Sequence, residues 1–157
     1  MKKIRIKTLL FSIAAAELTG VLSALLAGGQ RAVYQALRQP PFSPPAWVFP
    51  VVWTILYALM GTAAYLVFRS EASAKEKKNA LVLYAIQLAL NFLWSIVFFR
   101  FEAFWLAVAV IAALTVVLIL TVIQFYTIDK TAAVLMLPYL VWVLFAAYLN
   151  IGIAVLN

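Results

Sequence analysis

Gln87, Asn91 and Ser95 recur at every fourth position inside an otherwise apolar stretch, with Trp94 and Phe98 beside them. Trp53, Tyr57 and Gly61 repeat that spacing in an earlier stretch, and Tyr139, Trp142, Ala146 and Asn150 share a broad face in a later one. Residues four apart lie on one side of a helix. A carboxamide in hydrocarbon needs a hydrogen-bonding partner, which turns Gln87 and Asn91 toward the inside of a bundle. Two arrangements meet that need. The amides can fasten neighbouring helices, at about 0.6 kcal/mol per contact. They can also supply the few polar contacts of a cavity with aromatic walls, suited to a flat, apolar molecule that stacks on indole and phenol rings.

Glu17 is the other residue able to do chemistry, because it falls near the middle of an apolar stretch. A carboxylate there is costly and marks a candidate site, although a protonated carboxyl tying helices together fits as well. The chain has no cysteine and no histidine. That removes disulfides, thiolate metal sites, cysteine nucleophiles, imidazole bases and histidine ligation of haem iron. No acid–base pair or metal site supports ordinary catalysis.

The elements that must position these residues are set by composition. Hydrophobic residues make up 68% of 157 and charged residues 11%. A soluble domain needs more charge than that to cover its surface, so the apolar excess must face lipid. Apolar stretches run over Thr8–Ala27, Trp47–Phe68, Asn79–Phe99, Ala103–Phe125 and Ala132–Leu156. Each can cross a hydrocarbon core of about 30 Å, and each must be helical, since lipid offers a bare backbone no partner. The expected fold is an all-α integral membrane protein, a bundle of five transmembrane helices forming one domain over residues 1–157. The basic start, Met1 to Lys7, resembles a signal peptide. However, the apolar part is longer than a signal core, Glu17 interrupts it, and no cleavage site follows.

The net charge of +7 is not gathered on one polar element, which argues against nucleic acid as a partner. With five spans, nine lysines and arginines fall on the side of the N-terminus and three (Arg31, Arg38, Arg100) on the other. That imbalance predicts a cytoplasmic N-terminus in a cell membrane and an external loop from Gly28 to Pro45. The loop carries Pro40, Pro41, Pro44 and Pro45, and proline pairs make backbone stiff and extended. It can be a plain connector or a semi-rigid lid over the bundle. Trp47 and Trp105, near span ends, read as interface anchors. Ala16, Gly20, Ala24 and Gly28, and likewise Ala109 and Ala113, form small-residue ridges that permit close helix approach within the bundle or in a dimer.

The run Pro40-Pro41-Phe42-Ser43-Pro44-Pro45-Ala46-Trp47-Val48-Phe49-Pro50-Val51-Val52-Trp53 resembles the first loop and second helix of the TspO/MBR family, the tryptophan-rich sensory and translocator proteins. Tyr34-Gln35-Ala36-Leu37 is similar to the W-Y-x-x-L ahead of that loop, with Val33 in place of the tryptophan. Gln87 to Ser95 and Pro138 to Asn150 match in the third and fifth helices. The resemblance implies a five-helix bundle, commonly a homodimer. It also implies a pocket under the first loop for porphyrins and benzodiazepine-site ligands, with no obligatory cofactor. Carried over, it assigns Tyr34, Trp53, Gln87, Asn91, Trp142 and Ala146 to the pocket. Tyr57 and Trp94 join them from the face analysis. Trp53 and Trp142 match the tryptophans associated with light-dependent porphyrin degradation, so a photochemical enzyme is one alternative. A secondary transporter is another, although the chain shows no repeated half and no pair of broken helices. The sterol pattern of mammalian members needs a basic residue after Tyr148, and none follows.

Overall fold

The computed structural model describes residues 5–157, so Lys2 and Lys3 of the basic count lie outside the described residues. Six α-helices follow in order: α1 Ile6–Ala27, α2 Gln30–Ala36, α3 Val48–Arg69, α4 Ala74–Ser95, α5 Phe104–Ile128 and α6 Lys130–Leu156. A π-helical turn, Ile96–Arg100, extends α4. Five of these rods are long and apolar enough to cross a membrane, and no strand occurs among the described residues. The protein is a multi-pass, all-α membrane protein.

Local chemistry sets the helix ends. Gly28, at φ 61°, stops α1 while its N–H still reaches the Ala24 carbonyl, a backbone conformation that glycine adopts without a Cβ clash. Pro50 sits in the first turn of α3, where a missing N–H costs nothing. Ser73 and Glu76 form a reciprocal capping box at the start of α4. That cap draws the helix back to Ala74, ahead of the apolar onset at Asn79. The Asp129 side chain accepts from the Ala132 N–H at 3.0 Å and starts α6 directly after α5.

Consecutive spans alternate in direction, and long-range hydrogen bonds join their ends. The Arg5 N–H donates to the Tyr65 hydroxyl at 2.9 Å, which ties the start of α1 to the end of α3. At the opposite end Arg100 Nη1 donates to the Leu26 carbonyl at 2.9 Å, and Asn150 Nδ2 to the Phe104 carbonyl at 3.1 Å. Small residues bring α1 onto α3. A Cβ on Gly61 would collide with the α1 backbone at Ser12 and Ile13, and one on Gly20 with the Tyr57 ring. Ala16 of the predicted small-residue ridge is buried in the same seam. Part of that ridge therefore serves the bundle itself.

The segment after α1 differs from the sequence expectation. It is not extended throughout, because Gln30–Ala36 forms a short helix and only the part after it carries the prolines. This segment is fastened across the end of the bundle. Tyr148 Oη donates to the Pro41 carbonyl at 2.8 Å, and the Pro40 ring occupies the space where Gly152 lacks a side chain. Asn157 pairs twice with the Arg38 backbone, accepting from its N–H and donating to its carbonyl, both at 2.9 Å. A lid pinned to α6 is what the structure shows.

Candidate functional site

Beneath this lid lies a cavity of about 420 Å³, formed by the loop-side halves of α1, α3, α4 and α6 with α2 above. Tyr34, Trp53, Tyr57, Asn91, Trp94, Trp142 and Ala146 all line it. Four separate elements, α2, α3, α4 and α6, supply these side chains, so only the folded bundle assembles the set.

Aromatic rings make up much of the wall. Tyr34 meets Phe49 edge-on at 4.9 Å between centroids, and Phe49 meets Trp142 at 5.9 Å. Trp53 lies 5.6 Å from Tyr57 and 6.0 Å from Tyr139. Edge-to-face packing, found in all of these pairs except the tilted Trp53–Tyr57, holds the rings in place. The Tyr34 hydroxyl donates to the Pro44 carbonyl at 2.9 Å, and Gln39 Nε2 donates to the Tyr34 carbonyl at 2.7 Å. Tyr34 thus couples the wall to the proline segment above it.

Polar groups are few and mostly engaged. Asn91 Nδ2 donates to the Tyr57 hydroxyl at 2.8 Å, joining α4 to α3 across the cavity floor. Gln30 Nε2 donates to Ser95 Oγ at 2.8 Å and seats α2 on α4. Trp94 Nε1 donates to Asn150 Oδ1 at 3.0 Å, behind the wall. The indole N–H of Trp142, by contrast, is buried and finds no acceptor among the described residues. Glu17 and Arg31 also contribute to the lining. Arg31 lies on α2 at the mouth, whereas Glu17 sits ten residues before the end of α1, about 15 Å deeper at 1.5 Å per residue. The cavity therefore has a guanidinium at its mouth and a carboxyl group toward its floor.

The structure separates Gln87 from the rest of the predicted set. It is fully buried one turn below Asn91, outside the lining, with Nε2 3.9 Å from the Met60 sulfur and Oε1 unpartnered. Gly61 lies on the face of Trp53 and Tyr57 but is taken up by the contact with α1. Trp47, expected as an interface anchor, is exposed and also lines the mouth, while Trp105 is exposed and lies away from the cavity. Phe49 was not singled out, although it stands one turn before Trp53 in the same series and could have been found by extending it. Gln30 and Arg31 carried no such signal, because the short helix holding them was not anticipated.

Five spanning helices around a lid-covered aromatic cavity define a class: a small polytopic membrane protein built around one intrabundle chamber. The TspO/MBR family profile matches residues 12–156. The chain is 42% identical over 124 residues to the tryptophan-rich protein TspO of Chlorobaculum tepidum, covering 79% of this chain and 78% of that protein. It is 41% identical over 124 residues to the tryptophan-rich sensory protein of Cereibacter sphaeroides, covering 79% and 76%. To the translocator protein of Homo sapiens it is 36% identical over 118 residues, covering 74% and 70%. The chain belongs to the TspO/MBR family.

Proposed function

We propose that this protein binds porphyrin-type tetrapyrroles, and benzodiazepine-site ligands, in the lid-covered cavity, and acts in tetrapyrrole sensing, regulation or transport. The observation that carries the reading is the convergence of Tyr34, Trp53, Tyr57, Asn91, Trp94, Trp142 and Ala146 on one cavity in a chain of this family. Its aromatic walls suit a flat ring system. The placement of Arg31 at the mouth and Glu17 below it would turn carboxylate side arms outward. Family membership and the sensory name of one relative support the tetrapyrrole role. The nine-to-three distribution of basic residues supports a cytoplasmic N-terminus in the cell membrane, and the homodimer is carried from the family resemblance.

Titrating protoporphyrin IX into the purified protein in lipid nanodiscs, with tryptophan fluorescence as readout, tests the proposal. Saturable quenching that a benzodiazepine-site ligand reverses is expected, and its absence would sink the reading. A second reading is light-dependent degradation of the bound porphyrin. It is favoured by one observation: two indoles, Trp53 and Trp142, line the same chamber within reach of a photoexcited ring. Illuminating the complex of the native protein beside Trp53→Phe and Trp142→Phe decides it. Degradation at equal rates in all three, or in none, rejects a role for these indoles.

A further inference from the structure

The cavity has two boundaries of very different character. Toward water it is bounded by Gln30, Arg31 and Tyr34 of α2, over which the proline segment is tied by the Tyr34–Pro44 bond and held to α6 by Tyr148, Asn157 and the Pro40–Gly152 contact. Sideways, between α1 and α3, it is less covered: Val21 and Ala24 of α1 and Pro50 and Thr54 of α3 line the cavity and are themselves exposed. A side chain that meets both the chamber and the outside marks the edge of an opening. These residues lie within about two turns of the loop-side ends of α1 and α3. The opening therefore extends from headgroup depth, at exposed Arg31 and Trp47, into the hydrocarbon.

The helix beside this opening buries few of its own residues. Only Ala16, Ser23 and Ala27 of α1 are buried, against eight residues of α3 and ten of α6. Its tight contacts with α3, at Ser12, Ile13 and Gly20, lie below the opening. The loop-side third of α1 is tied on its α4 side, by Ser23 Oγ to the Phe92 carbonyl at 3.4 Å and by Arg100 to the Leu26 carbonyl at 2.9 Å, and among the described residues no hydrogen bond joins it to α3 across the opening.

We infer that ligand enters this protein sideways from the bilayer, through a portal between α1 and α3, and not from water through the lid. The ligand class is a planar amphiphile already dissolved in the membrane leaflet on the loop side. Such a molecule keeps its anionic end at headgroup level and its ring in hydrocarbon. That is the orientation the cavity offers, with Arg31 at the mouth and aromatic walls below. Partitioning into the leaflet concentrates the molecule at the portal and pre-orients it. The inference rests on the proposed tetrapyrrole reading only for the choice of probe.

The cysteine-free chain lends itself to the test. In nanodiscs, the association rate of protoporphyrin is measured by stopped-flow quenching for three proteins. One is native. One carries Arg38→Cys with Asn157→Cys, oxidised to lock the lid. One carries Val21→Cys, reacted after purification with a benzyl thiosulfonate that plugs the portal and is removed by reductant. The locked lid should leave the rate within about twofold, whereas the plug should slow it at least about tenfold and reductant should restore it. A rate that falls on locking the lid, or that ignores the plug, overturns the portal.

A second readout does not depend on porphyrin. Ala146→Cys, buried in the chamber wall, should react with a lipid-soluble maleimide in the locked-lid background. It should be protected by Val21→Trp. If native protein binds no porphyrin, the proposed function fails while this labelling still decides the route. Labelling that requires an unlocked lid, or that Val21→Trp does not slow, refutes it.

Discussion

Replacing Trp142 or Trp53 by alanine removes one indole face from the aromatic wall of the chamber. An aromatic side chain buries about 150–250 Å² in all, and a ligand resting on one indole face covers about a third of that, about 60 Å². At about 25 cal/mol per Å² this contact contributes about 1.5 kcal/mol, and favourable ring geometry adds about 0.5–1.5 kcal/mol. Relaxation of Phe49 and Phe145 toward the space left by Trp142, from 5.9 and 5.6 Å, recovers part of the loss. A net cost of about 2 kcal/mol corresponds to about thirtyfold in Kd. Phenylalanine keeps most of the face and should cost less than about tenfold. Trp105 is the internal control, being 62% exposed and outside the cavity lining. Its alanine variant should bind within about twofold of native. The assay is protoporphyrin titration in nanodiscs, followed by porphyrin absorbance so that loss of a tryptophan does not distort the signal. Circular dichroism confirms that each variant is folded. Loss of binding in Trp105→Ala with retention in Trp53→Ala and Trp142→Ala would refute the pocket assignment.

Gly61→Ala should destabilise the bundle by about 1–3 kcal/mol, since the new Cβ would sit 2.8 Å from the Ser12 carbonyl oxygen, on backbone that cannot swing away; thermal unfolding in detergent checks it. Asn150→Ala leaves the Trp94 indole N–H and the Phe104 carbonyl without their partner and should cost about 1–3 kcal/mol. Trp94→Phe should relieve part of that cost in a double-mutant cycle, and strict additivity would show that the pair is not coupled. Haem should bind without strong axial ligation, because the chain has no histidine or cysteine and the Tyr34 and Tyr57 hydroxyls are already hydrogen-bonded. A low-spin, bis-ligated absorption spectrum would contradict this. Ser43→Cys, in the lid, should react with an impermeant maleimide added outside intact cells; labelling only from the cytoplasm reverses the predicted orientation.

Spacing showed which faces turn inward but not how deep each residue sits. Asn91 and Gln87 share a face of α4, yet one turn decides that Asn91 meets the Tyr57 hydroxyl at the cavity floor while Gln87 is sealed beneath it against Met60. Depth depends on where neighbouring helices close together, and that is set across the bundle by contacts such as Gly61 on Ser12. The five spans were legible because nothing but a helix satisfies backbone in lipid. The short α2 was not, because Gln30–Ala36 is neither apolar enough to read as a span nor periodic over enough turns to stand out. Its packing comes from Gln30 on Ser95 and from buried Tyr34, both tertiary contacts. Trp47 shows a further limit. A tryptophan at a span end anchors at the interface, but when the cavity mouth lies at the same depth the one residue serves both places.

The two ends of the bundle are built for different purposes, and the division falls along α3. Beyond Tyr57, toward its C-terminal end, the buried residues are Met60, Gly61, Ala63, Ala64, Tyr65 and Val67, mostly small. Ala80 and Tyr84 of α4 and Ala132, Ala133 and Met136 of α6 are buried in the same core. Small side chains let the helices close to van der Waals contact, the main source of helix association where lipid removes the hydrophobic drive. Before Tyr57, the inward residues are Phe49 and Trp53, whose large rings hold the helices apart and leave a chamber between them. The closed end carries the stability, and so the loop-side end can tolerate a cavity and the Glu17 carboxyl group. Side-chain size along this one helix face therefore specifies both where the bundle is solid and where it can receive a ligand.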